Sequence, residues 1–106
     1  SNISSCDSST VGGGLANTSS GYASIIAGGG KNTASGYYSG ILGGNANNDN
    51  GYSRTFIVGS NITANRSCTT FVNNLSVVNL QDGAAGLPSG SVYYCSTDSN
   101  KLYFVP

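Results

Sequence analysis

Residues 2–76 divide into five consecutive units of 15 residues, 2–16, 17–31, 32–46, 47–61 and 62–76, which align without insertion or deletion. So short a unit excludes helix–turn–helix repeats, which take about 33 residues or more. Helix is disfavoured in any case by abundant Gly and Asn and by the absence of Glu. Two short strands and two turns fit the length. Each unit then forms one coil of a parallel β-solenoid. Coils stacked at roughly 4.8 Å make the five a rod about 24 Å long.

The columns of this alignment say which side chains face inward. The first reads Asn2, Asn17, Asn32, Asn47 and Ile62. Asn side chains stacked at coil spacing form an amide ladder. The third is mostly small: Ser4, Ser19, Ala34, Asp49 and Ala64. Gly21, Gly36 and Gly51 in the fifth column imply a turn or a close backbone approach. The tenth column, Val11, Ile26, Ile41, Phe56 and Phe71, is apolar in every unit and is the expected core. Successive strand side chains take opposite faces, so the eleventh column points outward. It reads Gly12, Ala27, Leu42, Ile57 and Val72. An outward apolar column needs a cover, and a neighbouring chain is the natural one. Ala27, Leu42, Ile57 and Val72 are therefore the expected interface between chains.

Composition supports that dependence on neighbours. Val, Ile, Leu and Phe supply 22 of 106 residues, near the level at which a chain cannot bury enough surface to fold alone. Zero net charge, seven Tyr and a regular apolar pattern argue against disorder. The neutral balance gives no case for nucleic acid, which needs clustered Lys and Arg. No apolar run reaches the length of a membrane span. The chain opens on Ser1-Asn2 without Met, as expected of a processed product or part of a longer chain.

No catalytic constellation is evident, and an enzyme is not expected. With no His and no Glu, general bases reduce to Asp7, Asp49, Asp82 and Asp98. Asp7 and Asp49 lie in different columns, toward opposite ends of the rod. The glycine runs 12–14 and 28–30 lack a following GK[ST] and read as coil turns. Neither a CxxC pair nor an Asp in every unit is present, so no metal or cofactor is expected. Cys6, Cys68 and Cys95 read either as small buried hydrophobes or as disulfide partners. In a symmetric trimer, complete bridging has to join different positions, such as Cys6 with Cys68 or Cys95. Tyr22, Tyr37 and Tyr52 stack in the sixth column, as interface packing or as candidate ligand contacts. The second column, Thr18, Thr33, Asn48 and Thr63, is an interrupted threonine array, the feature an ice-binding solenoid would need unbroken. Five N-x-[ST] sequons, at Asn2, Asn17, Asn61, Asn65 and Asn74, matter only on a eukaryotic secretory path.

Two stretches carry a family resemblance. Ser24-Ile25-Ile26-Ala27-Gly28 with Asn32-Thr33-Ala34-Ser35-Gly36-Tyr37, and again Ser39-Gly40-Ile41-Leu42-Gly43, resemble the head repeats of trimeric autotransporter adhesins. Closely similar units occur in phage and large-virus fibre proteins. The resemblance covers the repeat region and implies a left-handed β-roll, with three chains about one axis. This unit is slightly longer than the adhesin coil. The fifth departs most, with Ile62, Arg66 and Cys68 in unusual columns, as terminal repeats often do.

After residue 76 the pattern stops, giving a repeat region 1–76 and a C-terminal region 77–106. Val77-Val78-Asn79-Leu80 reads as one more short strand. Residues 81–90 are a loop punctuated by Pro88 and Gly90. Residues 91–95 and 101–105 form a predicted β-hairpin. A lone hairpin is marginal in water. It is therefore expected to cap the last coil or pack on trimer mates through Tyr93, Tyr94, Tyr103 and Phe104. Gly86-Leu87-Pro88-Ser89-Gly90 followed by such a hairpin resembles the ends of phage and viral fibre proteins. That resemblance implies a trimeric, extracellular fibre on a virion surface, touching other virion proteins and a host glycan or receptor. A cell-surface adhesin head and an ice-binding solenoid are the alternatives.

Overall fold

The computed structural model describes residues 1–106, which form two compact units, Ser1–Leu75 and Ser76–Pro106. The first is a parallel β-solenoid of about five coils. Each of its first three coils contributes two strands: β1 (Ile3–Ser4) and β2 (Thr10–Val11), β3 (Thr18–Ser19) and β4 (Ile25–Ile26), β5 (Thr33–Ala34) and β6 (Gly40–Ile41). The last two contribute β7 (Phe56–Val58) and β8 (Thr70–Val72). One sheet runs β1-β3-β5 and continues through single bridges at Asn48 and Thr63. The other runs β2-β4-β6-β7-β8. All these pairings are parallel, as required when each strand stacks on its own copy one coil away.

Two left-handed turns per coil bend the chain around this narrow axis. One falls at Ser8, Ala23, Tyr38, Arg54 and Cys68, the other at Ala16, Lys31, Ala46 and Asn61, all with φ between 52° and 60°. Positive φ is costly for residues with a Cβ. It is held by bonds between coils: the Tyr38 amide donates to the Tyr22 carbonyl, and the Lys31 amide to the Leu15 carbonyl, each at 2.9 Å.

The interior is half apolar and half polar. Ile26, Ala34, Ile41 and Ile57 form the buried cluster, with Val11, Ile62 and Phe71 packed against it. Full burial of an Ile stabilises by about 1.5–3 kcal/mol, so this thin stack leaves much of the work to hydrogen bonds. Asn17, Asn32 and Asn47 are buried in register. Asn17 Oδ1 accepts the backbone N–H of Asn32 (3.0 Å) and its side-chain amide (3.1 Å), which also reaches the Gly28 and Gly44 carbonyls. Asn32 Oδ1 does the same for the Asn47 backbone. Ile62 closes the ladder, donating its backbone N–H to Asn47 Oδ1 at 3.1 Å. Beside it, hydroxyls pair across the coil, Ser4 with Ser9 and Ser19 with Ser24, each at 2.7 Å. Every buried side-chain polar atom has a partner.

Coil four departs from the alignment without gaps. Ile41 pairs with Ile57, not Phe56, and Ile57 with Phe71. The first sheet meanwhile keeps its 15-residue step from Thr33 through Asn48 to Thr63. One extra residue therefore lies between Asn48 and Ile57, in a turn where Asn50 and Gly51 both take positive φ. A glycine dropped after Val58 restores the count: Leu42 donates to the Ile57 carbonyl, yet Gly44 already abuts Gly59. Two core expectations are corrected accordingly. Phe56 is 46 % exposed and lies outside the core, whereas Ile57 is 1 % exposed and fills the place assigned to it.

Asp49 makes that insertion tolerable. In regular coils the Ser20 and Gly21 amides donate to the Ala34 carbonyl of the next coil. The bulge at Asp49 turns its carbonyl toward Tyr52 instead. The buried carboxylate takes over: Oδ1 accepts from Ser35 N (2.9 Å), Ser35 Oγ (3.1 Å) and Gly51 N (3.1 Å), and Oδ2 from Gly36 N (2.9 Å).

The cysteines of this unit are exposed and unpaired, against the reading of them as buried hydrophobes. Cys6 and Cys68 lie near one corner but four coils apart, about 19 Å along the axis. A disulfide needs Cα atoms within about 7 Å. The folded unit therefore cannot join Cys6 to Cys68 within one chain.

The second unit is an antiparallel hairpin of β9 (Val92–Cys95) and β10 (Lys101–Phe104), joined through a 3₁₀ turn, Ser96–Asp98. Tyr93 and Tyr103 stack across the pair at 5.7 Å, and the Tyr103 hydroxyl donates to Asp98. Asp82 adds a parallel bridge to Tyr94. The strand expected over residues 77–80 is absent; Val77 and Val78 sit in an exposed turn, because Asn79 takes a φ of 63°. Hydrogen bonds from the Ser96 hydroxyl and amide hold the Asp82 carboxyl below the ordinary aspartate range. A lowered folded-state pKa gives stabilisation that is present above the unfolded value and lost as pH falls through the folded one. In an NMR titration the Ser96 amide should therefore shift with an acidic midpoint below that of a free aspartate. A midpoint at or above the free value contradicts the contact, and Asp82→Asn should remove the transition.

Candidate functional site

Two surface features of the solenoid stand out chemically. The first is the outer face of the five-stranded sheet. Strand alternation puts Ile26, Ile41 and Ile57 inside, so their neighbours on both sides face out. One outer row is Thr10, Ile25, Gly40, Phe56 and Thr70, and the other is Gly12, Ala27, Leu42, Val58 and Val72. Leu42 is 65 % exposed, and Ile25, Phe56, Val58 and Val72 are also open. Gly40 leaves a dip between two of them: a Cβ there would meet the Phe56 ring at 3.3 Å and Ile25 Cγ2 at 3.4 Å. The result is a shallow apolar groove lined by Ile25, Ala27, Gly40, Leu42, Phe56 and Val58.

Of the residues expected at a chain interface, Ala27, Leu42 and Val72 lie on this outer face. Ile57 does not, and Val58 takes its place. The expected core residues Ile26 and Ile41 are buried, Val11 and Phe71 half-buried, and Phe56 joins the outer face. A signal for the shift was present in the sequence. Arg54 falls in a column otherwise made of Ser9, Ser24, Ser39 and Thr69. Moving one residue puts Thr55 there instead, and Thr55 is fully buried with its amide donating to Ser39 Oγ.

The second feature is an aromatic corner. Tyr22 and Tyr37 meet edge to face at 6.4 Å between centroids, and Tyr22 meets Tyr38 at 5.6 Å. The Arg54 guanidinium lies over the Tyr38 ring at 5.8 Å. Tyr52, displaced by the insertion, makes no aromatic pair. Its carbonyl abuts Gly36 in the next-door column. The expected column of three is thus a cluster of Tyr22, Tyr37 and Tyr38 with Arg54. Sequence columns could not show Tyr38, which stands one position further along and reaches back to Tyr22.

Elsewhere the outer face of the three-stranded sheet carries Thr18 and Thr33, then Asn48 and Thr63, so its threonine row is broken at coil four. Asp7 is exposed, Asp49 is buried within its hydrogen bonds, and the two stand in different coils. No three Cys or Asp side chains come together. Asn17 is buried in the amide ladder, so its sequon offers no acceptor in the folded chain. No helix is long and apolar enough to cross a membrane. No protein-family model, curated protein or solved structure matches the chain.

Proposed function

We propose that this chain is a structural and adhesive fibre protein of a phage or virus particle. It works as a homotrimer of left-handed coils that projects from the particle toward a host surface. The observation that carries the reading is the open apolar face of the five-stranded sheet. Exposed apolar rows of this extent on a soluble chain mark an interaction surface. This one spans coils two to five of a solenoid whose own core is thin. Three chains presenting that face to a common axis would bury all three apolar faces at once. A rod held by repeated ladders suits a spacer that holds a contact site away from a particle.

Native mass spectrometry or light scattering tests the assembly. Three chains of 10.7 kDa give a particle of about 32 kDa, and a stable monomer at micromolar concentration overturns the reading. Leu42→Asp places a charge in the centre of the face. Burying an unpaired carboxylate costs several kcal/mol, so the dissociation midpoint should rise by at least about 100-fold. The far-ultraviolet circular dichroism of the released chains shows whether the coils survive.

A further inference from the structure

We propose that the Tyr22–Tyr37–Tyr38–Arg54 corner is a binding site for an acidic saccharide, a sugar bearing a carboxylate. The proposal deepens the attachment reading and names the chemistry of the contact. Its first support is the exposure of the rings. Tyr37 is 61 % and Tyr38 50 % exposed, although aromatic side chains gain most by being buried. Each of them meets Tyr22 edge to face, an arrangement that covers at most one face of a ring. The apolar C–H face of a pyranose packs on such a ring. Tyr103 has its hydroxyl held within the chain, by Asp98; those of Tyr22, Tyr37 and Tyr38 remain free to bond sugar hydroxyls.

The second support is charge. The Arg54 guanidinium stands over Tyr38 with no carboxylate paired to it; the chain's ion pair is Lys101 with Asp98, in the other unit. Asp49 is buried and fully engaged, and Asp7 lies three coils from Arg54, about 14 Å along the axis. An anion arriving at this corner therefore meets an uncompensated cation that presents a fork of donors suited to a carboxylate. The third support is where these side chains sit. Tyr38 and Arg54 occupy the left-handed turn position, with φ of 57° and 53°, that Ser8 and Ala23 hold in the first two coils. Bulky residues gain no burial there to offset the backbone cost. At this position the side chains of successive coils project side by side.

The test is binding of 3′-sialyllactose and of lactose to the assembled protein, by saturation-transfer NMR and calorimetry. Sialyllactose should bind saturably in the millimolar range or better, and lactose at least about tenfold more weakly. Tyr37→Ala should weaken sialyllactose by about tenfold or more, from loss of ring stacking. Arg54→Gln should erase the preference for the acidic sugar while leaving neutral binding in place. Both positions are exposed, and unchanged melting confirms that the coils are intact. No saturable binding of sialyllactose, or of polygalacturonate fragments as a second acidic probe, overturns the proposal. Binding indifferent to both substitutions does the same. The two readings fail separately, because a monomer in solution sinks the trimer whatever sugar it binds, and a trimer blind to acidic sugars sinks only the site.

Discussion

Replacing Asp49 by Ala should destabilise the solenoid by about 3–5 kcal/mol and lower its melting temperature by more than about 10 °C. The substitution takes one carboxylate away from the Ser35, Gly36 and Gly51 amides and from the Ser35 hydroxyl. Each buried donor left unmet costs about 1–3 kcal/mol. Water cannot easily replace the carboxylate, since Asp49 and Gly36 are both buried. Nor can the backbone, because the Asp49 carbonyl already accepts the Tyr52 amide.

Asp49→Asn separates shape from acceptor number. The amide keeps one oxygen but turns an NH₂ toward a backbone donor. Its loss should be intermediate, nearer to Ala than to the parent chain. Thermal melting of the two variants beside Asp7→Ala checks this, since Asp7 is exposed and its loss should stay within about 0.5 kcal/mol. Melting of Asp49→Ala within a few degrees of the parent would mean that the carboxylate is not what bridges the bulge.

The same residue marks the boundary of what the sequence discloses. A column of Ser4, Ser19, Ala34 and Ala64 is small because it points into a narrow interior. An Asp among them reads as an anomaly and not as a device. Its role depends on where one carbonyl turns, and periodicity carries no information about that. The parallel solenoid, the amide ladder and the inward column at Ile26 and Ile41 were legible, because each rests on a spacing that stacking enforces. The local slip was not. An insertion between Asn48 and Ile57 and a deletion after Val58 cancel, so the flanking columns stay aligned and hide the displacement of everything between them.

That slip changed the candidate surfaces more than the fold. It exchanged Phe56 and Ile57 between outside and inside and put Val58 on the apolar face. It also removed Tyr52 from the tyrosine column and brought Arg54 to the left-handed position beside Tyr38. A backbone error of one residue inverts a strand's faces. Surface readings from columns are therefore more fragile than the architecture they hang on. In the C-terminal unit the hairpin was legible from its apolar runs. The parallel bridge from Asp82 to Tyr94 was not, since its segment is mostly polar and flanked by glycine.

Two adjacent glycines should respond oppositely to the same methyl group. Gly29→Ala should cost at least about 3 kcal/mol, and it could prevent the unit from folding altogether. Gly29 has a φ of +86°, and a Cβ there would stand 2.1 Å from the Gly44 carbonyl oxygen and 2.9 Å from the Gly44 amide nitrogen. Both atoms belong to the backbone of the next coil, so relief requires the coils to part. Parting them breaks more than one contact, because the Gly44 carbonyl accepts both the Gly30 amide and the Asn32 side chain. Gly28→Ala meets nothing within 4 Å and needs no positive φ. Restricting the unfolded chain at Gly28 should leave stability within about 0.5 kcal/mol of the parent, or raise it slightly. Thermal melting of the two single variants, each with the same added methyl, reads the difference directly. Equal melting temperatures would show that the coils are not stacked as closely as a 2.1 Å approach demands. A wide gap would place the constraint in coil-to-coil contact, since composition and helix or strand propensity are identical in the pair.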